Sequence, residues 1–432
     1  MKVLVVGASG FIGRTLCERL AADGHHVVRG VRNPAAVGDI AIDYSAPRDW
    51  CADLAGFDAV INTVGIIVER PGEKFVDVHE RGPSALFAAC AQAGVRRVVQ
   101  ISALGADRAD RADHADSANT AYFRSKFAAD RALAALPMEW QIVRPSLVFG
   151  TGGTSAALFS TLASLPVIPV PALGEARFQP MHIDDLCDAI TRLLLPDVSP
   201  CQEIDLVGAT SVSYRAMLDA YRRMMGFAPG AYLTIPAPLM RLAAGAGALI
   251  PGATLTPDTW RMLRAGSSAA TPDAVARVAD LLGRPPRGVN EFMAPCEAEL
   301  LRHRALSAWR GPLLRAVLAV IWIATAVISA FVYPVEGSLS MLAALGIKGA
   351  AAYAALYGAS LLDLAFGIAT LAWPRRVLWA AQAALIVGYT AAIAIALPEY
   401  LTHPFGPLLK NLPILAILII LYSESKAWTT SR

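Results

Sequence analysis

Hydrophobic positions along the chain follow two different patterns. Through the first 300 residues, short apolar runs alternate with mixed stretches of helical spacing. Lys2-Val3-Leu4-Val5-Val6 is compact and β-branched, the pattern of a strand buried on both faces. Arg14 to Ala22 reads as a helix, and further strands are expected at His26–Val28, Ile40–Ile42, Ala59–Ile61 and Val98–Ile101. This alternation predicts an α/β fold with a doubly wound parallel sheet over residues 1–150. Residues 151–300, richer in Pro and Gly, are expected to form a smaller lobe. Past residue 311 the apolar positions become nearly continuous, over 313–333, 351–373, 377–397 and 407–422. Each approaches the ~20 residues that cross ~30 Å of hydrocarbon, the last being short. Residues 301–432 are therefore expected to be an all-α, four-helix transmembrane bundle.

Composition sharpens this division. The 432 residues are 55% hydrophobic and 17% charged, with a mean hydropathy of +0.46. Only eleven charged residues lie between Gly311 and Arg432, seven basic and four acidic, so this tail carries the whole net charge of +3. A neutral N-terminal portion with dispersed charge offers no footprint for nucleic acid. The six cysteines show no C-x-x-C and no metal-ligand spacing, and they read as reduced core thiols. No secretory leader is expected, because the sequence opens on a strand.

Basic residues orient the tail. Arg302, Arg304, Arg310 and Arg315 precede the first stretch, Arg375 and Arg376 follow the second, and Lys426 and Arg432 follow the fourth. Both termini and the N-terminal portion are thus expected on the cytoplasmic side of a multi-pass protein, in contact with the lipid bilayer. Trp309, Trp373, Trp379 and Trp428 fall where an aromatic belt belongs. Asp363 lies in mid-span, where a charge costs at least ~2.5 kcal/mol, so it should face the bundle interior. Two readings stand for it: a proton or quinol contact, or a hydrogen bond to a neighbouring helix.

The first strand runs into Gly7-Ala8-Ser9-Gly10-Phe11-Ile12-Gly13 and then a helix. A strand, a glycine loop and a helix N-terminus make a dinucleotide cradle. Gly7 permits the turn, Gly10 lets backbone approach a pyrophosphate, and Gly13 packs helix on strand. Ser9, Phe11 and Ile12 complete the loop. The second strand ends in Val28-Arg29-Gly30-Val31-Arg32-Asn33, with two cations and no acid. A ribose 2′-hydroxyl would be met by an acid and a 2′-phosphate by cations, so Arg29 and Arg32 favour NADP(H) over NAD(H).

On these residues the chain resembles the extended and atypical short-chain dehydrogenase/reductases, which have a Rossmann sheet. GASGFIGR carries the resemblance at the N-terminus. Residues 100–106 (QISALGA), Tyr122-Phe123-Arg124-Ser125-Lys126, residues 143–150 (VRPSLVFG) and residues 178–185 (FQPMHIDD) look most like the branch that contains the nucleotide-binding accessory subunit of respiratory complex I. The resemblance spans residues 1–300, and the tail is similar to the DoxX-like family, most distinctively at residues 403–411. It implies that Asp43 and Tyr44 approach the adenine. It further implies that Asn62 and Gly65 pass the cofactor ribose, and that Lys126 and Pro145 line the cofactor site.

Tyr122 and Lys126 share one helix face. The resemblance implies that Tyr122 is the acid/base and Lys126 its electrostatic partner, with Ser102 orienting the substrate. Ala103 and Leu104 depart from the family pattern, which carries a second hydroxyl residue here. Residues 106–116 read as a solvated loop. His182, Asp184 and Asp185 mark a helix start capped by one of the acids, and no metal is expected. Two functions remain open. One is a membrane-anchored NAD(P)H oxidoreductase acting on a small hydrophobic carbonyl or quinone. The other is a non-catalytic NADPH-binding sensor or assembly factor of a membrane redox complex.

Overall fold

The structure, a computed structural model, describes residues 1–46, 49–108, 120–250, 252–402 and 406–425. It divides into two compact units, Met1–Ala305 and Leu306–Arg432. In the first, β1 (Lys2–Val6), β2 (His26–Val31), β3 (Ile40–Ala41), β4 (Ala59–Asn62), β5 (Arg97–Ile101), β6 (Glu139–Pro145) and a seventh strand, Gln202–Leu206, form one sheet. Its order is seventh-β6-β5-β4-β1-β2-β3, and every neighbouring pair is parallel. Since the seventh strand comes from beyond residue 150, the smaller lobe shares the sheet with the first 150 residues.

Alternating side chains leave β1 for opposite faces, as a pleated strand requires. Val3 and Val5 join a core under α1 (Phe11–Ala22) and the helix Ile183–Arg192, whereas Leu4 and Val6 join one under the helices Gly82–Gln92 and Ala121–Ala134. Each such fully buried Val or Leu contributes about 1.5–3 kcal/mol. Chain order reverses across β1, which lies between β2 and β4. Register places Val6 opposite Asn62 and Asn62 opposite Gln100. The carboxyl ends of the strands therefore open on one crevice at the reversal, where doubly wound sheets take ligands.

The rest of this unit packs Thr154–Ser164 and Tyr214–Met224 around Phe149, Phe178, Tyr221 and Phe292. Two expectations are corrected here. The helix Ile183–Arg192 is capped by His182, whose Nδ1 accepts from the Asp184 amide at 3.2 Å. Asp185 is instead occupied by Arg284 and the Arg287 amide. Among the cysteines, Cys90 and Cys187 are core thiols, but Cys201 and Cys296 are exposed.

Among the described residues three helices are long and apolar enough to cross a membrane: Pro295–Val332, Ala350–Ala372 and Arg376–Ala396. The fourth expected span is the helix Asn411–Glu424, whose 14 residues reach only about 21 Å at 1.5 Å per residue. Gly367 explains one close crossing, since a Cβ there would lie 2.5 Å from the Ile323 side chain. Gln382 bridges three helices, accepting from Trp322 Nε1 at 3.1 Å and donating to Thr370 Oγ1 at 2.8 Å. Trp379, near the start of Arg376–Ala396, is buried and donates to Ser425 Oγ. Trp373 is exposed, with Arg375 over its ring. Trp428, Lys426, Arg432 and His403-Pro404-Phe405 lie outside the described residues, as do residues 109–116 of the expected solvated loop.

Candidate functional site

The glycine loop is built by close approach. Gly7 has φ +84°, and its N–H donates to the Gly30 carbonyl at 2.9 Å. A Cβ on Gly13 would lie 2.3 Å from the Gly7 carbonyl oxygen, and one on Gly7 would lie 2.7 Å from Thr63 Oγ1. Neither position admits a side chain. Gly10 is the N-cap of α1 and brings no capping group, so the first-turn amides turn toward the loop. Ser9 and Gly10 are exposed. Phe11 and Ile12 pack against the core, with the Phe11 ring against Gly150 and Gly153. Backbone donors, a positive dipole end and missing Cβ atoms fit a dinucleotide pyrophosphate.

Beyond β2 the picture changes in detail. The strand continues to Val31, so Arg29 lies inside it, half-exposed, with Nε 3.7 Å from Asp39 Oδ1. Arg32 follows the strand end and donates to Glu73 at 2.7 Å. Asp43 accepts from the amide and hydroxyl of Ser45. Tyr44 and Asn62 are turned inward. The Tyr44 hydroxyl donates to Asn62 Oδ1 at 2.8 Å, and Asn62 Nδ2 donates to Gln100 Oε1 at 2.7 Å. Burial pushes the Tyr44 phenol well up. These two side chains are a core hydrogen-bond chain behind the strand ends, where the ring of Tyr44 also demands a glycine at 82.

The helix Ala121–Ala134, capped by Thr120, carries Tyr122 and Lys126. Lys126 is buried, and its Nζ donates to the carbonyls of Ile101 at 3.0 Å and Val64 at 3.3 Å. It thereby sits at the ends of β5 and β4, beside Gly65, where a Cβ would lie 3.2 Å from Nζ. Burial pulls this ammonium down to about 8, opposed by Asp130. Tyr122 stands edge-on to Phe75, His79 and Phe123, and burial pushes its phenol up to about 12.

Ser102 departs from its expected direction. Its hydroxyl donates to Asp130 Oδ2 at 2.6 Å, and Asp130 also has Arg144 Nε at 3.6 Å. Arg144 in turn pairs with Glu203 at 2.9 Å. Burial raises the Asp130 carboxyl to about 6, against the pull of Ser102, Arg144 and Lys126. Pro145 ends β6, and its carbonyl accepts from the Leu104 amide.

His79 was not marked by any motif, yet it holds the centre of this site. It lies in a π-helical turn, Val76–Arg81, a feature that recurs at functional sites. The Ile66 amide donates to Nε2 at 2.9 Å, so the proton resides on Nδ1 and points to Ser125 Oγ at 3.1 Å. The Ser125 hydroxyl then donates to the Tyr122 carbonyl at 2.9 Å. Burial, with the Lys126 charge, holds this imidazole neutral down to about 2. It ties the segment after β4 to the Tyr122 helix.

Together, sheet order, glycine loop and crevice define a dinucleotide-binding Rossmann domain. Residues 7–160 match the NAD(P)H-binding family model, and residues 319–419 match the DoxX-like family. A ceramide reductase from Caulobacter vibrioides is 27% identical over 274 residues, covering 60% of this chain and 78% of that protein. Subunit 9 of the NADH dehydrogenase [ubiquinone] 1 alpha subcomplex from Arabidopsis thaliana is 29% identical, over 45% of this chain and half of its own length. An Escherichia coli NADPH-dependent quinone oxidoreductase solved with NADPH superposes with a TM-score of 0.53 at 18% identity, over 67% of this chain and 98% of that one. MoeE5 in complex with UDP-glucuronic acid and NAD gives 0.52 at 20% identity, over 71% of this chain and 100% of that one. The chain thus joins an NAD(P)H-binding domain to a C-terminal DoxX-like membrane domain.

Proposed function

We propose that the protein is a membrane-anchored oxidoreductase that uses NADP(H) in preference to NAD(H). Its substrate is an apolar carbonyl or quinone-like molecule drawn from the bilayer. One observation carries this reading: Tyr122 and Lys126 stand one turn apart on a helix that brings Lys126 Nζ to the ends of β4 and β5. When bound, NADPH supplies the hydride. Gly7, Gly10 and Gly13 with the α1 amides hold its pyrophosphate, and Arg32 leaves Glu73 for the 2′-phosphate, an exposed pair of small worth. Tyr122 gives a proton to the substrate oxygen. The charge of Lys126 steadies the phenolate left behind, which brings the phenol down from its buried value. Ser102 acts through Asp130 as a positioning residue. The Caulobacter ceramide reductase and the apolar tail both support a lipid-like substrate.

In this reading four tail helices lie in the membrane, and Arg310, Arg315, Arg375 and Arg376 keep the N-terminal unit on the cytoplasmic side. The test is NADPH oxidation by the full chain in proteoliposomes, against lipid ketones, aldehydes and quinones. Tyr122→Phe and Lys126→Met should each lower turnover by about 10²-fold or more while NADPH still binds. Unchanged turnover in Tyr122→Phe would remove the proposed acid.

A second reading has its own observation. Lys126 and Ser102 both spend their hydrogen bonds inside the protein, as a site kept for binding alone would. The Arabidopsis relative is named as a subunit of a respiratory complex. A non-catalytic NADPH-binding assembly factor would hold near-stoichiometric nucleotide for hours. It would also keep a stable partner in mild detergent, lost with Gly10→Asp; nucleotide exchange within seconds speaks for the enzyme.

A further inference from the structure

Between Gly226 and Pro257, Arg241 is the sole charged residue. This stretch forms the strand Ala231–Ile235 and the helix Ala237–Gly247, of which Ala244 alone is buried. Leu242, Leu249 and Ile250 are 71%, 85% and 62% exposed, and Leu239 is exposed beside them. Leu233 and Val167 are exposed on the paired strands Ala231–Ile235 and Val167–Pro171. The helix is nonetheless seated. It packs on Pro257–Ala265, and Gly247 comes so near the Leu255 carbonyl that a Cβ would lie 2.0 Å from its oxygen. Among the described residues nothing covers its outer face.

Charge chooses the partner. Arg241, Arg261 and Arg264 are exposed on this helix pair against a single acid, Asp258, which already accepts from Arg261. An apolar face rimmed by guanidinium groups fits the boundary of an anionic bilayer. Leucines enter about 5–10 Å into the acyl edge while the arginines stay at the phosphates. The same chain carries three helices long and apolar enough to span a membrane. Weak interfacial binding therefore suffices, because tethering supplies the local concentration.

We infer that Ala237–Ile250 is an interfacial anchor that seats the N-terminal unit on an anionic membrane surface. The full chain, with serine at the exposed Cys201 and Cys296, is reconstituted in vesicles of phosphatidylcholine and phosphatidylglycerol at one copy or fewer per vesicle. An NBD fluorophore is placed on Leu242→Cys, Ile250→Cys or, as a solvent reference, Val37→Cys. Spin-labelled lipids should quench the first two several-fold more than the third, and aqueous iodide should do the reverse. Replacing phosphatidylglycerol, or reversing Arg241 and Arg264 to Glu, should restore iodide access at Leu242→Cys. Equal iodide quenching at all three positions would overturn the anchor. So would shielding from both quenchers with Leu242→Cys cross-linking between copies, which would make this face a protein interface. Variants that keep the parent's NADPH affinity count as folded, so loss of the anchor and loss of the fold are told apart.

Discussion

Two buried carboxylates, Asp130 and Asp363, divide the molecule's chemistry between them. Asp130 lies in the N-terminal unit with the Ser102 hydroxyl at 2.6 Å, Arg144 at 3.6 Å and the Lys126 charge close by. Asp363 is 5% exposed, on the inner stripe of Ala350–Ala372 that also holds Ser360, Gly367 and Thr370. Among the described residues its Oδ1 has no hydrogen-bond partner. The first acid is one member of a network and its removal strands the others. Among the described residues the second pairs with no cation, in the part of the chain where an unpaired charge costs most.

The contrast predicts opposite mutational behaviour. Asp130→Ala should destabilise the N-terminal unit by about 3–5 kcal/mol, since it leaves Lys126 buried without its acid and Arg144 with Glu203 alone. Hydrogen exchange in peptides from 121–134 should report that loss while the tail peptides stay unchanged. If the tail responds equally, the two regions are not separate in energy.

Next in size is a pH effect. His79 binds no proton in the folded unit until about pH 2, whereas the unfolded chain protonates it near its ordinary 6.5. Its contribution is therefore complete above about 6.5 and is lost as pH falls, at up to ~1.4 kcal/mol per unit. Asp130 works in the opposite sense between about 6 and its ordinary 3.8, so the parent's own curve partly cancels there. The difference between the parent and His79→Gln isolates the histidine, and a difference flat with pH would refute its buried, neutral state.

In the tail, Gln382→Leu removes two interhelical hydrogen bonds and should cost about 1 kcal/mol in a detergent unfolding titration. Asp363→Asn should be the smallest change, neutral or slightly stabilising, because no cation loses its counterpart. A loss larger than that of Gln382→Leu would show that Asp363 has a partner after all.

The local rules explain what could be read in advance. The β-branched runs, the glycine loop and the four-residue spacing of Tyr122 and Lys126 are each set by neighbours in sequence, so strands, loop and helix were legible. Asp363 facing inward followed from the cost of exposing it to lipid. The missed features depend on groups far apart in the chain. Ser102 turns to Asp130, 28 residues on, and Tyr44 to Asn62, 18 residues on. His79 joins Ile66 and Ser125 through a π turn that no spacing rule announces. The bond of the Trp379 indole N–H to Ser425, 46 residues on, is of the same long-range kind.

The short helix Asn411–Glu424 is fastened at both ends to Arg376–Ala396. Asn411 donates to Thr390 at 2.7 Å, and at the other end Ser425 takes bonds from Trp379 and from Arg376. A segment of this length partitions weakly into hydrocarbon by itself. Its place beside Arg376–Ala396 is therefore held by polar contacts at either end as well as by packing. A stop codon placed before Asn411 would take these partners from Thr390, Trp379 and Arg376.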